Sequence, residues 1–193
     1  YVEVDERPWV LELVYKTKED IILGAHGKTR FLEDIVTYNK EYYTDVLTNA
    51  YSRRYYEEYV QYINDVSAVA MIDADNFKAI NDQYGHNAGD QAIKAVSKAI
   101  QSCIRSDDIF IRYGGDEFVC VIPDYDQTQM QKLKQNLLDS LATLSRNSRM
   151  AFPIEASIGF VVADDSVFSL NDYINLADEK MYVEKKERKA TRQ

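Results

Sequence analysis

From residue 68 onward, apolar residues follow two alternating spacings, one typical of strands and one typical of helices. Residues 68–75 (AVAMIDAD) are almost continuously apolar and indicate a buried strand, whereas Ile93, Val96 and Ile100 recur at the spacing of one helix face. Residues 109–123 (IFIRYGGDEFVCVIP) hold two apolar runs around a pair of glycines, which predicts a hairpin. The pattern therefore predicts strands and helices that alternate along the chain.

Three more elements complete this pattern: a helix around residues 127–144, a strand near residues 154–162 and a last helix that begins at Leu170. Ser169 and Asp172 have capping-box spacing at its start. Its predicted buried residues are Leu170, Tyr173, Ile174, Ala177 and Met181. The order is β, α, β, β, α, β, α, with a first crossover in two parts. It is typical of the ferredoxin-like α+β class, an antiparallel or mixed sheet with helices on one face.

The first part of the chain carries a different pattern. Residues 9–15 (WVLELVY) alternate with a period of two and predict a strand, which we interpret as the last piece of an upstream sensory module. A single helix seam follows at Phe31, Ile35, Tyr38 and Tyr42. This connecting helix either pairs with a second copy of the chain or packs on its own domain. We divide the chain into an upstream tail (1–27), the connecting helix (28–44) and a main domain (45–190).

Tyrosines and cysteines are interpreted as structural. Tyr55, Tyr59 and Tyr62 recur at helical spacing, and we expect this face to pack on the core rather than to bind a ligand. Cys103 and Cys120 lie in a predicted helix and a predicted strand without CxxC spacing, which favours inert thiols in a reduced setting.

Composition and charge restrict the possible functions. The 193 residues suffice for one domain with a short extension, and no apolar run approaches the roughly 18 residues of a membrane span. We therefore expect a soluble, cytoplasmic segment. The net charge of −9 argues against a nucleic-acid partner, because such proteins usually present a basic face to the phosphates.

Carboxylates mark the ends of two predicted strands. Asp73 ends the first strand, while Asp116 and Glu117 follow Gly114 and Gly115 at the tip of the hairpin. If the two strands are neighbours, Asp73 and Asp116 converge, and they repel unless a cation lies between them. Oxygen ligands without His or Cys select Mg²⁺ or Mn²⁺, and the glycines leave room for a phosphate ligand. This cluster predicts nucleotide chemistry; the alternative is a solvated acidic hairpin.

A second polar cluster lies in residues 73–90 (DADNFKAINDQYGHNAGD). The residues that interrupt its helical pattern are Asn81, Gly85, His86, Gly89 and Asp90. We expect a loop between two helices here, because glycine destabilises a helix interior. Asn81 and Asp90 have the donors and acceptors that suit a guanine edge, and an acidic acceptor disfavours adenine. The alternative is that these two residues only cap helices.

Five blocks, in this order and spacing, resemble the GGDEF-domain diguanylate cyclases. They are DVLTNAYSRR (45–54), DADNFKAINDQYGHNAGD (73–90), RYGGDEF (112–118), SIGF (157–160) and ADEKMYVEKK (177–186). The resemblance covers residues 43–190 and implies a nucleotidyl-cyclase palm-like sheet. It also implies that two GTP are condensed into cyclic di-GMP with release of two pyrophosphates, by two domains of a homodimer that each hold one GTP.

The resemblance also assigns roles to individual residues. Asp73, Asp116 and the Ala74 carbonyl would hold two Mg²⁺ ions, and Glu117 would either bind metal or deprotonate the attacking 3′-hydroxyl. The remaining substrate contacts are Asn81 and Asp90 to guanine, Phe77 as a wall of the base pocket, the open turn at Gly114 and Gly115, and Lys78, Lys185 and Lys189 to phosphate.

One motif bears on regulation, and four residues depart from the family pattern. Arg105 and Asp108 match the family's RxxD site, where cyclic di-GMP inhibits its own synthesis; the alternative is a salt bridge at a helix end. Departures are Asn49 in place of Gly, Ser52 in place of Asn, and Arg188-Lys189 in place of Gly-Arg. Two alternative functions stay open: a non-catalytic receptor for GTP or cyclic di-GMP, and a cyclase for an adenine-containing dinucleotide, against which Asp90 argues.

Overall fold

The computed structural model describes residues 2–4, 7–9, 40–63, 66–148, 150–164 and 169–191. The chain divides into two units, residues 1–38 and 39–193. In the first, strand β1 (Val2–Val4) pairs antiparallel with strand β2 (Arg7–Trp9). The predicted strand at 9–15 and the connecting helix at 28–44 lie outside the described residues, apart from Trp9 at the end of β2 and the helical residues 40–43.

Besides the helical residues 40–43, the described part of the second unit contains five strands and five α-helices, in the order predicted from residue 68 onward. The bounds are β3 (Tyr51–Ser52), α1 (Arg53–Glu58), β4 (Ala68–Ala74), α2 (Phe77–Tyr84), α3 (His86–Cys103), β5 (Ile109–Arg112), β6 (Glu117–Ile122), α4 (Gln127–Asn147), β7 (Ala156–Val162) and α5 (Leu170–Thr191). A turn of 3₁₀ helix (Val60–Tyr62) follows α1. The α+β class is confirmed.

The five strands form one mixed sheet in the order β3-β5-β6-β4-β7. Only the short edge strand β3 runs parallel to its neighbour among the described pairs, and the other pairs are antiparallel. Strand β4 therefore lies between β6 and β7, and its register places Asp73 opposite Glu117 on one side and opposite Ser157 on the other. This register brings the two predicted carboxylate positions together.

Helices cover both faces of the sheet, so the prediction of helices on one face is wrong. One core joins α3 and α4 to the face that carries Ala70, Ile72 and Phe118. The other joins α1 and α5 to the face that carries Met71 and Val119. The physical reason lies in β4, whose residues are all buried: a strand with two apolar faces needs cover on both sides.

The predicted tyrosine face is also wrong. Tyr59 and Tyr62 are 53% and 69% exposed, and the side chains that this segment buries are Tyr56 and Val60. Helix α1 ends after Glu58 and the chain continues as a 3₁₀ turn, so the three predicted positions do not share one helix face. Predicted burial holds on α3 and α5, for Ile93, Val96, Ile100, Leu170, Tyr173, Ile174, Ala177 and Met181.

Two local details bear on the site. The Ser169 Oγ accepts the amide of Asp172 and donates to its carboxylate, which confirms the predicted capping interaction at the start of α5. Asn49 has φ of 57°, in the left-handed region that Gly and Asn favour, so asparagine suits this position in place of glycine. Within the described part of the chain, no helix combines the length and apolar character needed to cross a membrane.

Candidate active site

The site begins where β4 and β6 end side by side. Asp73 lies opposite Glu117, and the amide of Ala74 donates to the Asp116 carbonyl at 2.9 Å, so the hairpin tip is fixed against the end of β4. Because β4 has a neighbouring strand on each side, the carboxylate near its end is buried: Asp73 is 6% exposed. The expected convergence of Asp73 with the hairpin acids is present.

This acidic cluster carries more negative charge than its neighbours neutralise. Burial raises the pKa of Asp73, and although Lys185 opposes the rise, Asp116 and Asp75 add to it. Burial likewise raises the pKa of Glu117, with the charges of Asp116 and Asp73 as further causes. Lys185 Nζ lies 2.6 Å from Asp73 Oδ1, and this contact outweighs burial and raises the pKa of Lys185. The cluster therefore favours added positive charge.

Arg112 holds the hairpin in place. Its Nη1 contacts both carboxylate oxygens of Asp45, at 3.0 and 3.1 Å, and its Nη2 donates to the Gly115 carbonyl at 2.7 Å. Burial alone would raise the pKa of Asp45, but hydrogen bonds from Thr48 and Arg112 lower it below its ordinary value. Arg112 therefore links the 45–54 block to the hairpin, a contact that the spacing in the sequence did not indicate.

The two hairpin glycines differ in their surroundings. A Cβ at Gly114 would overlap the Glu117 carboxylate, whereas a Cβ at Gly115 would have no heavy atom within 4 Å. Gly114 therefore makes room for Glu117, and Gly115 leaves the open space that was expected at both positions.

Asn81 and Asp90 lie on helices rather than in the predicted loop. The helical pattern breaks at Gly85 alone, whose φ of 84° ends α2 and starts α3. Gly89 lies inside α3. Glycine fits this position because a Cβ there would overlap the Asn81 side chain and lie 3.0 Å from Phe77. Neither Asn81 nor Asp90 is an N-cap residue, so the capping alternative is wrong. Phe77 and Asn81 share one corner, and Asp90 is exposed on α3.

An open cleft of about 360 Å³ lies between the start of α2, the hairpin tip and α5, and neither Asn81 nor Asp90 is among its lining residues. It is lined by Ala74, Asn76, Phe77, Lys78, Ala79, Asp82, Asp116 and Lys185. Three predicted contacts, Phe77, Lys78 and Lys185, thus face the same space as a hairpin carboxylate. The side chain of Lys189 lies outside the described residues, so its predicted contact stays a prediction.

A polar network that the sequence did not reveal adjoins the site. The Ser157 hydroxyl donates to Asp75 at 2.7 Å, and Arg188 approaches the other Asp75 oxygen at 3.4 Å and donates to the Ala156 carbonyl at 2.7 Å. Glu184 pairs with Arg188 and with Lys134. The available signal was Ser157, a polar residue inside an apolar strand. Arg188, which departs from the family pattern, binds protein groups.

Arg105 and Asp108 lie at the opposite end of β5 from the hairpin. Asp108 is buried and accepts the backbone amide of Arg105 at 2.7 Å, and burial raises its pKa although this bond opposes the rise. The guanidinium of Arg105 lies 4.3 Å from the ring centroid of Tyr125 and donates to the Asp124 carbonyl. Among the described ion pairs none joins Arg105 to Asp108, so the helix-end salt bridge is not formed.

The site's oxygens suit a divalent cation that arrives with phosphate. In the described part of the chain, no three His, Cys, Asp or Glu side chains are arranged to enclose a metal ion by themselves. Mg²⁺ usually binds through one or two carboxylates together with substrate phosphates rather than in an all-protein cage. The hard oxygens of Asp73, Asp116 and Glu117, short of positive charge, fit that mode.

Comparison with known proteins identifies the family. Residues 42–191 match the family described as diguanylate cyclase, GGDEF domain, and the chain belongs to it. It is 34% identical over 147 residues to the probable diguanylate cyclase DgcT of Escherichia coli K12, a match that covers 72% of this chain and 32% of DgcT. It is 30% identical over 147 residues to the cyclic di-GMP phosphodiesterase PdeR of the same strain, over 74% of this chain and 22% of PdeR.

Solved structures agree on the fold. The coiled coil and GGDEF domain of DgcB from Caulobacter crescentus, in complex with c-di-GMP, aligns with a TM-score of 0.73 at 22% identity. The alignment covers 84% of this chain and 90% of that chain, which confirms the palm-like α+β fold. The chain spans about a third of DgcT and about a fifth of PdeR.

Proposed function

We propose that this chain is a diguanylate cyclase that condenses two GTP into cyclic di-GMP and releases two pyrophosphates. The observation that carries the proposal is the register of β4 with β6, which joins Asp73 to the hairpin acids beside an open cleft. Membership of the GGDEF family supports the reaction class. The similarity to DgcT, a probable diguanylate cyclase, supports the product.

In this proposal Asp73, Asp116 and the Ala74 carbonyl hold two Mg²⁺ or Mn²⁺ ions, with Glu117 as a further ligand or as the base for the 3′-hydroxyl. When bound, such ions stabilise charge on the transferred phosphoryl group and lower the pKa of the attacking hydroxyl. Lys185 and Lys78 face the same cleft and bind the triphosphate, and we assign Lys189 the same role.

Base recognition falls to the corner between α2 and α3. Phe77 forms a wall for the base, and Asn81 is held beside it because Gly89 leaves room for both side chains. Asp90 follows Gly89 on α3 and is exposed, and it accepts hydrogen bonds from the guanine N–H groups. A site that depends on such hydrogen bonds can discriminate strongly against a base that lacks them. We therefore assign guanine rather than adenine.

One GTP per domain makes two domains necessary. The 3′-hydroxyl of each substrate must reach the α-phosphorus of the other, so a homodimer with facing sites completes the reaction. The upstream sensory module then acts by setting how the two domains meet.

The reaction is tested by chromatography after incubation of the purified chain with GTP and Mg²⁺ at several protein concentrations. We expect cyclic di-GMP to form at a rate that rises more steeply than linearly with protein concentration, because two domains share each turnover. Parallel incubations with ATP, and with ATP and GTP together, test guanine selection. No cyclic dinucleotide at any concentration would contradict the proposal.

A receptor for GTP or cyclic di-GMP is the second candidate. It is favoured by the similarity to PdeR, because a relative that matches 74% of this chain is named a cyclic di-GMP phosphodiesterase rather than a cyclase. Binding of either nucleotide without turnover in the same incubation would establish it.

Product inhibition is proposed at Arg105 and Asp108. Asp108 fixes the backbone of Arg105, which presents the guanidinium above Tyr125, where it can form a bidentate contact to phosphate or guanine. We expect Arg105→Ala to raise the concentration of cyclic di-GMP needed for half-inhibition by about tenfold or more, the effect of one or more charge-assisted hydrogen bonds.

Arg146→Ala is the matched control for that measurement. Arg146 is an exposed arginine in the last turn of α4, so the control removes the same charge at a different place. Inhibition curves that coincide for the wild type and Arg105→Ala would mean that Arg105 and Asp108 have only a structural role.

A further inference from the structure

Lys185 contacts a carboxylate that the proposed function assigns to metal. Its Nζ lies 2.6 Å from Asp73 Oδ1, and the Asp73 side chain is only 9% exposed. The ammonium group thus occupies one face of a carboxylate that a metal ion would also need. Its positive charge opposes the approach of a metal ion to the same carboxylate, and a metal ion that binds Oδ1 in the direction of Lys185 must displace it.

The backbone that carries Lys185 is fixed. A Cβ at Gly159 would overlap the Ala177 carbonyl and lie 2.9 Å from the Met181 Cα, so α5 packs directly on the backbone of β7 one turn before Lys185. The flanking residues Glu184 and Arg188 are bound to Lys134, to Asp75 and to the Ala156 carbonyl. Any displacement of the ammonium group must therefore come from rotation of the Lys185 side chain.

That side chain has space to rotate. It is 24% exposed, and it lines the 360 Å³ cleft that Lys78 and Phe77 also line. Lysine has a flexible four-carbon stem with a compact charged head, so it can change partner while its backbone stays in place. Arg188, by contrast, is held by Asp75, Glu184 and the Ala156 carbonyl, so of these two cations on α5 it is the fixed one.

We propose that Lys185 is an exchangeable counter-cation, which neutralises Asp73 while the site holds no metal and rotates onto the triphosphate when a metal ion takes its place. This inference rests on the proposed function, because it uses Asp73 as a metal ligand. It adds that the free enzyme resists metal binding without nucleotide. The nucleotide then supplies both the metal and the new partner that Lys185 needs.

The test measures Mn²⁺ binding in the absence of nucleotide, by loss of the electron paramagnetic resonance signal of free Mn²⁺. The proteins are the wild type, Lys185→Met, Lys185→Gln and the control Lys186→Met. Lys186 lies over the Tyr182 ring, with its Nζ 4.2 Å from the ring centroid, so the control removes the same net charge from the same helix. Circular dichroism checks that each variant is folded, and the glutamine variant keeps a hydrogen-bond donor near Asp73.

We expect both Lys185 variants to bind Mn²⁺ at least about tenfold more tightly than the wild type, the lower end of the effect of one adjacent charge on a carboxylate's proton affinity. Mn²⁺ should also raise their melting temperatures more, because a ligand of the folded state stabilises it by an amount that grows with the logarithm of its affinity. Lys186→Met should match the wild type.

Two results would overturn the exchange. Equal or weaker Mn²⁺ binding by the Lys185 variants would show that Lys185 does not compete with metal. An equal gain in affinity by Lys186→Met would show that the effect comes from the net charge of the protein and not from the contact with Asp73. Failure of the proposed function is a different observation, since it appears as absence of cyclic di-GMP when the wild type is incubated with GTP and Mg²⁺.

Discussion

Asp116→Ala should reduce the rate of cyclic di-GMP formation by more than about a hundredfold, because loss of even the outer partners of metal ligands typically costs about 10–100-fold. The fold should survive. The contact that fixes the hairpin to β4 uses the Asp116 backbone carbonyl, which alanine retains. Because the Asp116 charge raises the pKa of both Asp73 and Glu117, its removal also relieves repulsion between carboxylates.

A matched pair of measurements separates chemistry from folding in this experiment. Asp124→Ala is the control, since Asp124 is an exposed acid just beyond the other end of β6 and its removal changes the net charge equally. The melting temperature of Asp116→Ala should equal or exceed that of the wild type at neutral pH, while its pyrophosphate release falls. Undiminished pyrophosphate release by the folded variant would refute the metal-ligand assignment.

The predicted elements that the structure confirms are those with strong hydrophobic periodicity. The strand at 68–75, the hairpin and the helix that contains Ile93, Val96 and Ile100 all form, because each buries a regular apolar pattern. The tyrosine face failed because α1 is too short to keep one helical period. The prediction that helices cover one face of the sheet was also wrong, although the unbroken apolar run of β4 indicated that both of its faces are covered.

The convergence of acids could be predicted where they lie at the ends of recognisable strands, and contacts were missed where they depend on how elements pack. Asp73, Asp116 and Glu117 were found because they end apolar strands that pair with each other. The contacts of Arg112 with Asp45 and of Arg188 with Asp75 span 67 and 113 residues. Such contacts depend on how α5 crosses the sheet and on where β3 adds to its edge, and local spacing does not determine either.

Gly159→Ala should lower the free energy of unfolding by about 3 kcal/mol, near the upper end for an added methyl group in a packed interior. The reason is the close approach of α5 to β7. The new Cβ would overlap the Ala177 carbonyl oxygen and the Met181 amide, which are backbone atoms of a helix and cannot rotate away as a side chain can. Helix α5 must therefore shift away from the sheet, and its contacts through Lys185 and Arg188 weaken with it.

Chemical denaturation of Gly159→Ala beside Gly115→Ala measures this effect against a suitable control. A Cβ at Gly115 would have no heavy atom within 4 Å, so that variant should stay within about 0.5 kcal/mol of the wild type. A Gly159→Ala protein as stable as the control would mean that α5 has room above β7. In that case the position of Lys185 on Asp73 would no longer be fixed by the helix, and the side chain alone would have to maintain it.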